Sequence, residues 1–296
     1  MTLPTELEQW VATCLDGPVS ATDVSWDRGD SQVWRVTTGI RAAYVKRSPT
    51  FAAYTREVRA YDHTRRALAA GEAPSLLASD SSLRAILTSP LPGRVVRGLP
   101  LETQDERRVY ELAGSLLRRW HDSADPPSEQ VRKTVRTSVA EQAHEAAGYL
   151  DAIAVHLSND EHSLLQKVRD ELPDLADELP LAYRHGDYSP RNWLWDADHG
   201  RHSLIDFEEA SNGTAVEDLV WLHGAVWPTR PDLKHAFLTG YGRALTRAEQ
   251  RALHLITTRT AAYYLHAGIT KANPVLTERG RTALNHLLRT DEEQPR

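Results

Sequence analysis

The chain has 296 residues, of which 41% are hydrophobic, and a formal net charge of −6 at pH 7; this length suffices for two lobes with separate cores, since single cores stop growing near about 250–300 residues. The acidic balance argues against a nucleic-acid partner, and a membrane partner is not expected because no run of about 18 apolar residues occurs. The single Cys14 cannot form an internal disulfide, and the N-terminus lacks a basic segment followed by an apolar one, so we expect a cytoplasmic protein.

The first candidate element is a strand, a short polar turn and a second strand between residues 24 and 36. A loop that binds phosphate needs glycine, because backbone amides must approach the anion closely. Gly29 supplies this freedom within the turn, and Ser31 adds a side-chain donor. The turn is therefore a candidate phosphate-binding loop, and an ordinary hairpin is the alternative.

An alternating strand, Arg41 to Lys46, follows and ends in one of only five lysines in a chain that has thirty arginines. A lysine kept against this arginine bias indicates a chemical role for Lys46. The next segment, residues 54–68, has apolar residues at the spacing of one helical face and contains Glu57. The alternatives are a solvated lysine at a strand end and a solvated glutamate on a helix.

An apolar strand over residues 85–89 then meets Pro-Leu91-Pro-Gly, which cannot be helical. Beyond it, apolar residues recur at three- and four-residue steps up to Trp120, and His121 is expected to end this helix. Further helical patterns are predicted at 138–157, 161–172 (ended by Pro173), 217–227, 232–244, 247–267 and 277–288.

Two short phrases contain the residue types that phosphoryl transfer requires. The first, His185-Gly-Asp187-Tyr-Ser-Pro-Arg-Asn192, puts a carboxylate and an amide oxygen five residues apart on a loop that its proline keeps from being helical. The second, Ser-Leu-Ile-Asp206-Phe-Glu-Glu, ends a predicted strand with a carboxylate, and the strands of the two phrases are predicted to pair as a hairpin. Such groups can accept the proton of an attacking hydroxyl and bind the Mg²⁺ that neutralises phosphoryl charge.

The same residues allow two other interpretations. Asp187 and Asn192 could merely serve turns and caps of a hairpin. His185 and the nearby histidines and aspartates could form a zinc site, but no pair of ligands has the helical spacing of a zinc protease and there is no cysteine cluster. Both alternatives leave the order of the two phrases unexplained.

His-Gly-Asp with Asn five residues later, then Ile-Asp-Phe-Glu, then Glu-Asp218-Leu, occur in this order within 35 residues. In this the chain resembles the aminoglycoside phosphotransferase and choline kinase-like family, of the antibiotic phosphotransferase type. The resemblance implies an α+β, two-lobed protein-kinase-like fold. Residues 1–92 would form an N-terminal nucleotide-binding lobe, an antiparallel sheet with one main helix, and residues 93–296 a larger, mostly helical catalytic and substrate-binding lobe.

The resemblance also implies roles for the residues of the phrases. Asp187 would be the catalytic base, while Asn192 and Asp206 would bind Mg²⁺. His185 would anchor the catalytic loop by hydrogen bonds, and Asp218 would support that loop from the following helix. The spacing from Asp187 to Asn192 matches that of the protein-kinase catalytic loop.

Nucleotide binding is implied for the segment before residue 92. Lys46, held in place by Glu57, would contact the α- and β-phosphates of ATP or GTP beneath the loop that contains Gly29. The backbone carbonyl of Ser89 and the backbone N–H of Leu91 would bind the base. Leu91 can donate because it is not one of the prolines that flank it.

The implied function is transfer of the γ-phosphate to a hydroxyl of a small molecule by a monomer or homodimer. An antibiotic is favoured as the acceptor, because the loop reads Tyr-Ser-Pro-Arg and not the choline-kinase type of sequence, and the role would be resistance or self-protection. A kinase for choline, homoserine or a sugar is the alternative. The candidate acceptor residues are Glu208, Trp227, Tyr263 and His266, for which core aromatics or a solvated carboxylate are the simpler interpretations.

A protein kinase and a kinase-fold binding protein without chemistry are the remaining alternatives. Only eleven residues separate Asp206 from Asp218, which leaves almost no room for the activation segment of a protein kinase. A protein without activity should have lost Lys46, Asp187, Asn192 or Asp206, and all four are present.

Overall fold

A computed structural model describes residues 1–26, 32–39 and 41–292. The predicted phosphate-loop residues Gly29 and Ser31 lie outside the described residues. The chain divides into two compact units. The first unit comprises Met1–Pro100 and His185–Ser211, and the second unit comprises Leu101–Arg184 and Asn212–Arg296. The division into lobes at 1–92 and 93–296 stays a prediction.

The first unit contains a five-stranded antiparallel sheet in the order β1-β2-β3-β5-β4. Its strands are β1 (Ser20–Asp23), β2 (Gln32–Thr38), β3 (Arg41–Arg47), β4 (Leu76–Asp80) and β5 (Ala85–Thr88). Helix α1 (Thr5–Cys14) packs Leu7 and Val11 into a core with Ala43 and Val45 of β3. Because side chains alternate along a strand, this core directs Lys46 to the opposite face of the sheet.

Helix α2 (Phe51–Ala67) follows β3 and carries Glu57. Thr50 caps its start, since the threonine side chain accepts a hydrogen bond from the backbone N–H of Ala53. Tyr54, Glu57 and Tyr61 are buried at spacings of three and four residues, the period of one helical face. The helix predicted over residues 54–68 is thus confirmed, with an earlier start.

A three-stranded sheet completes the first unit, in the order β6-β8-β9. Its strands are β6 (Arg94–Val95), β8 (Trp193–Asp196) and β9 (Arg201–Leu204). The predicted hairpin is confirmed, since β8 pairs with β9 in antiparallel register. Gly93 has a φ of +101°, and a Cβ there would lie 2.7 Å from the backbone of Trp195. Only glycine therefore fits before β6.

The second unit is mostly helical. Its helices are α3 (Thr103–Asp122), α4 (Glu129–Ile153), α5 (Asn159–Leu175), α6 (Val220–Ala225), α7 (Pro231–Tyr241), α8 (Arg247–Thr270) and α9 (Pro274–Glu292). Strands β7 (Leu181–Arg184) and β10 (Ser211–Thr214) form a two-stranded sheet, and 3₁₀ turns occur at Ala154–His156 and Ala215–Leu219. None of the described helices is long and apolar enough to cross a lipid bilayer.

Three predicted helix boundaries are wrong. Helix α4 begins nine residues before the predicted 138, because Ser128 caps it by accepting from the N–H of Val131 and its first turns are polar. Pro173 lies inside α5, in the last turn, where the missing proline N–H costs only one backbone hydrogen bond. The segment 217–227 is a 3₁₀ turn followed by the short α6.

Helices α3 and α7 approach closely at two glycines. A Cβ on Gly240 would lie 1.8 Å from the carbonyl oxygen of Glu111, and one on Gly114 would lie 2.0 Å from that of Phe237. We expect Gly240→Ala to lower the free energy of unfolding by about 1–3 kcal/mol, the usual cost of overpacking, although alanine is the better helix former. Chemical denaturation followed by circular dichroism measures this loss.

Gly148 in α4 is the matched control. It is exposed, and a Cβ there would meet nothing within 4 Å. Gly148→Ala should therefore raise stability by about 0.5–1 kcal/mol through helix propensity alone. If Gly240→Ala were as stable as Gly148→Ala, the close approach of α3 and α7 would be ruled out.

Candidate active site

The loop that contains Asp187, in the first unit, is held by His185 and Gly186. The backbone N–H of Asp187 donates to His185 Nδ1 over 3.2 Å, so the ring proton lies on Nε2, which donates to the carbonyl of Ile205 over 3.2 Å. Gly186 has a φ of +85°, and a Cβ there would lie 2.3 Å from the carbonyl oxygen of Glu209. His185 is fully buried. It thus connects the loop to the residue before Asp206, as its predicted anchoring role requires.

Asp187 and Asn192 are in direct contact. The Asn192 amide nitrogen donates to the Asp187 carbonyl over 2.9 Å and to its Oδ2 over 2.7 Å. The backbone of Asn192 is fixed on both sides, because its N–H donates to Ser189 and its carbonyl accepts from Ile205. With its nitrogen on Asp187, Asn192 keeps its amide oxygen for another partner, such as a cation.

The ammonium group of Lys46 contacts three carboxylates. Its Nζ donates to Asp206 Oδ1 over 2.5 Å, and Nζ lies 3.1 Å from both Glu57 Oε2 and Glu208 Oε2. The side chain of Glu57 is 1% exposed. The predicted pair of Lys46 and Glu57 is present, and Asp206 and Glu208 join it.

Burial and the neighbouring charges shift the pKa values of Lys46, Glu57 and Asp206 in opposite directions. Burial alone would lower the pKa of Lys46, but Glu57, Asp206 and Glu208 outweigh it and hold the pKa well above its ordinary value. Burial raises the pKa of Glu57 to about 7 against the opposing charge of Lys46. Burial would also raise the pKa of Asp206, yet Lys46, followed by His185 and Arg191, keeps it below its ordinary value.

This cluster makes stability depend on pH. The pKa of Glu57 is raised from 4.5 to about 7, so the folded protein binds this proton more tightly than the unfolded chain does. The contribution of Glu57 to stability is therefore full below about pH 4.5 and is lost as the pH rises toward 7. Lys46→Met removes the cation that favours the carboxylate, so it should lower stability by about 3 kcal/mol near neutral pH.

Denaturation of the Lys46→Met variant at about pH 5 and pH 8 checks this prediction. The loss should be larger at the higher pH, because the buried Glu57 must then ionise without its partner. Lys133→Met, at an exposed position of α4, is the matched control and should show no such difference. Equal stability of Lys46→Met and Lys133→Met at both pH values would contradict the burial of the pair.

The first unit contains a cavity of 390 Å³. Its volume falls in the range of about 300–1,000 Å³ that is typical of small-ligand sites. Most of the predicted nucleotide and metal residues line it: Lys46, Glu57, Ser89, Leu91, Asn192 and Asp206. Glu208, predicted as an acceptor residue, lines it as well. Tyr44, Ile86 and Thr88 of strands β3 and β5 also line it and add apolar surface. The cavity thus combines apolar surface beside Ser89 with polar groups beside Asn192.

The oxygens beside Asn192 fit a hard cation. Asn192 offers an amide oxygen, and Asp206 and Glu208 offer carboxylates, the ligand types that Mg²⁺ prefers. Within the described part of the chain, no group of three or more His, Cys, Asp or Glu side chains is placed to hold a metal ion. A cation here would therefore complete its shell with water and substrate oxygens, as Mg²⁺ commonly does with phosphates.

Asp218 lies in the second unit, in a buried network that the sequence did not reveal. Its Oδ2 is 2.9 Å from His121 Nε2, and His121 Nδ1 is 2.9 Å from the Tyr241 hydroxyl. The sequence predicted His121 only as a helix end. His121 is buried in the structure. Its partners lie 97 and 120 residues away in the chain, so no local pattern indicated the network.

The four predicted acceptor residues are divided between the two units. Glu208 lies in the first unit and contacts Lys46, whereas the other three belong to the second unit. Trp227 is 4% exposed and packs against Phe237. Tyr263 is 41% exposed, and both Tyr263 and His266 lie beside the ring of Tyr149. An acceptor role for these residues stays a prediction.

Two further residues of the first unit were missed in the sequence. Arg191 Nε donates to Asp187 Oδ2 over 2.7 Å, and its Nη2 contacts the same oxygen. Arg56 Nε donates to the carbonyl of Glu208 over 2.8 Å and so attaches α2 to the segment after Asp206. Arg191 stands next to Asn192 within the motif, which could have drawn attention to it.

Comparison with known proteins assigns the chain to a family. A family model described as the phosphotransferase enzyme family (APH) matches residues 20–254, well over half of the chain. No curated protein sequence matches the chain significantly. The matched range contains every residue from Lys46 to Asp218.

Solved structures with similar folds include a candidate aminoglycoside phosphotransferase from Ralstonia eutropha JMP134, with 15% identity over 100% of both chains and a TM-score of 0.71. A thermostable mutant of aminoglycoside phosphotransferase APH(4)-Ia, in a ternary complex with AMP-PNP and hygromycin B, has 14% identity over 98% of this chain and 100% of that chain, with a TM-score of 0.68. A choline/ethanolamine kinase family protein from Mesorhizobium loti has 17% identity over 94% of this chain and 89% of that chain, with a TM-score of 0.62.

At these identities the similarity to solved structures shows the fold alone, and it confirms the predicted α+β, protein-kinase-like fold. The family match covers the sequence phrases around Asp187 and Asp206. The chain therefore belongs to the phosphotransferase enzyme family, and it is a small-molecule phosphotransferase.

Proposed function

We propose that the protein transfers the γ-phosphate of ATP or GTP to a hydroxyl of a small molecule, and that this acceptor is an antibiotic. The observation that carries the proposal is the grouping of Lys46, Asn192 and Asp206 around one cavity, with the carboxylate of Asp187 bonded to Asn192. This arrangement supplies a cation for phosphates, oxygens for Mg²⁺ and a base for the acceptor.

The donor nucleotide would occupy this cavity. Its base would lie against Tyr44, Ile86 and Thr88, within reach of the backbone of Ser89 and Leu91. Lys46 would donate to the α- and β-phosphates, exchanging part of its carboxylate contacts for phosphate oxygens. The AMP-PNP in the APH(4)-Ia relative supports an adenine nucleotide as donor.

Asp187 would accept the proton of the acceptor hydroxyl as its oxygen bonds to the γ-phosphorus. The bond from that phosphorus to the bridging oxygen breaks, and its electron pair leaves with the nucleoside diphosphate. Asn192 and Asp206 would hold Mg²⁺, which when bound neutralises charge on the phosphate oxygens. Asn192 also orients Asp187 through its amide nitrogen.

The choice of an antibiotic rests on the fold relatives and on the loop sequence. The APH(4)-Ia relative contains hygromycin B in its ternary complex, and the loop of this chain reads Tyr-Ser-Pro-Arg between Asp187 and Asn192. The relative from the choline/ethanolamine kinase family makes a metabolite kinase the second candidate. Its acceptor would be choline, homoserine or a sugar.

Turnover with a panel of acceptors tests the function. We expect release of nucleoside diphosphate to increase with at least one hydroxylated antibiotic, and mass spectrometry should show one added phosphoryl group on that compound. The same panel should contain choline, homoserine and sugars, so that a metabolite kinase is recognised by its own product. Failure of the protein to bind ATP and GTP in the presence of Mg²⁺ would overturn the proposal.

A further inference from the structure

The carboxylate of Asp187 is held on one side only. Arg191 contacts Asp187 Oδ2 through both Nε and Nη2, and Asn192 donates to the same oxygen. Oδ1 takes part in none of these contacts. The two donors therefore fix the orientation of Asp187 and leave Oδ1 for a substrate hydroxyl.

Arg191 is also part of the cavity that we assign to the nucleotide. Among the described residues that line this cavity, Lys46 and Arg191 are the basic ones. Lys46 is already paired with Glu57, Asp206 and Glu208, so its charge is more than balanced. A triphosphate would bring further negative charge into this cavity, and Arg191 adds a positive charge there beside Asp187 and Asn192, in addition to that of Mg²⁺.

The shape of the arginine side chain allows both contacts at once. A guanidinium group has five N–H donors in a plane, and two of them point to Asp187. The remaining donors can bind the oxygens of a phosphoryl group. The side chain of Arg191 is 27% exposed, so a ligand in the cavity can reach it.

A structural role alone does not account for this arginine. The loop is already fixed by the bond of the Asn192 N–H to Ser189, by the bond of its carbonyl to Ile205, and by His185. Asn192 donates to the same oxygen of Asp187 as Arg191 does.

We propose that Arg191 is a catalytic residue that binds the γ-phosphoryl group during transfer and connects it to the base. One edge of its guanidinium stays on Asp187 Oδ2, and the other edge binds a non-bridging oxygen of the γ-phosphate. The inference rests on the proposed function, because it requires a nucleoside triphosphate in the cavity.

Transfer of the γ-phosphoryl group breaks one bond to phosphorus, forms another and moves one proton. Asp187 Oδ1 accepts the proton of the acceptor hydroxyl, whose oxygen forms the new bond to the γ-phosphorus. The bond from this phosphorus to the β–γ bridging oxygen breaks, and its electron pair stays on the diphosphate. Arg191 keeps all its protons throughout and stabilises the negative charge on the non-bridging oxygens.

Calorimetric titration with two nucleotides separates this role from a general effect on binding. Arg191→Gln should weaken binding of the non-hydrolysable triphosphate AMP-PNP by about tenfold or more, while binding of ADP should change little because ADP lacks the γ-phosphate. The titrations use the intact protein with Mg²⁺, and guanine analogues replace the adenine ones if the wild type uses GTP.

Turnover supplies the second measurement. Arg191→Gln should lower kcat about 10²–10³-fold, as the loss of one donor to a transition-state oxyanion does. Turnover is measured with the acceptor found in the panel, or as transfer to water if none is found. Arg191→Lys keeps the charge but not the planar fork, so it should restore part of the triphosphate affinity and less of kcat.

Arg201→Gln is the matched control, because Arg201 is an exposed arginine of β9 in the same unit and is not among the residues lining the cavity. It should leave both nucleotide affinities and kcat unchanged. Thermal melting of each variant establishes that it is folded, and Arg191→Lys provides the comparison if Arg191→Gln is not.

The outcomes distinguish the inference from the function on which it rests. If the wild type turns over and an Arg191 variant keeps the wild-type ratio of AMP-PNP to ADP affinity, Arg191 does not bind the γ-phosphate and the inference fails alone. If the wild type binds neither triphosphate nor diphosphate, both the inference and the proposed function fail.

Discussion

Asp187→Asn should lower kcat about 10²–10⁴-fold, the contribution usual for a general base, while nucleotide affinity stays close to that of the wild type. The amide can still accept a hydrogen bond from Arg191 and Asn192, which contact Oδ2 in the native protein. It cannot take the proton of the acceptor hydroxyl. Steady-state kinetics at saturating donor and acceptor measures the loss.

The control for this variant is Asp198→Asn in the turn between β8 and β9, where the side chain is exposed. Its kcat should equal that of the wild type. A variant at Asp187 that kept half of its activity would show that another group accepts the proton, and the assignment of the base would be wrong.

Asp206→Asn should increase the Mg²⁺ concentration required for turnover by at least about 10–100-fold, since even the outer partners of metal ligands have effects of that size. Asparagine is the suitable replacement because Asp206 has a φ of +68°, a conformation that asparagine adopts more readily than most residues. The variant also removes the negative charge from the shortest contact of Lys46, so nucleotide affinity should fall with it.

Titration of turnover against Mg²⁺ at fixed nucleotide checks the prediction for Asp206. The titration should be repeated with Asp198→Asn, which changes a carboxylate of the same unit away from the cavity. An Asp206→Asn variant with the Mg²⁺ dependence of the wild type would remove this carboxylate from the metal site.

Those parts of the fold that depend on residues close together in the chain could be predicted from the sequence. The hairpin of β8 and β9 was predicted because apolar runs flank a polar turn with glycine, and β3 was predicted because its residues alternate. The predicted start of α4 was wrong because its first turns are mostly polar. They lack the apolar spacing that indicates a helix, and the helix begins at the Ser128 cap.

The sequence predicted those site residues that belong to the two short motifs around Asp187 and Asp206. Asp187, Asn192 and Asp206 follow each other closely in the chain, so their types and order were visible. The contact of Glu208 with Lys46 was missed because it joins residues far apart in the chain. The contact of Arg191 with Asp187 is local, but the sequence does not tell which neighbouring side chain an arginine will reach.

Alternate residues of strand β3 pack in the hydrophobic core and line the cavity. This alternation restricts where the chain can accept insertions and deletions. Deletion of one residue in β3 would turn Lys46 into the core and Val45 toward the cavity, because a shift by one residue exchanges the two faces of a strand. The exposed turn before β9 carries no such constraint. In a scan of single deletions and insertions, we therefore expect β3 to tolerate neither, and the turn at 197–200 to tolerate both.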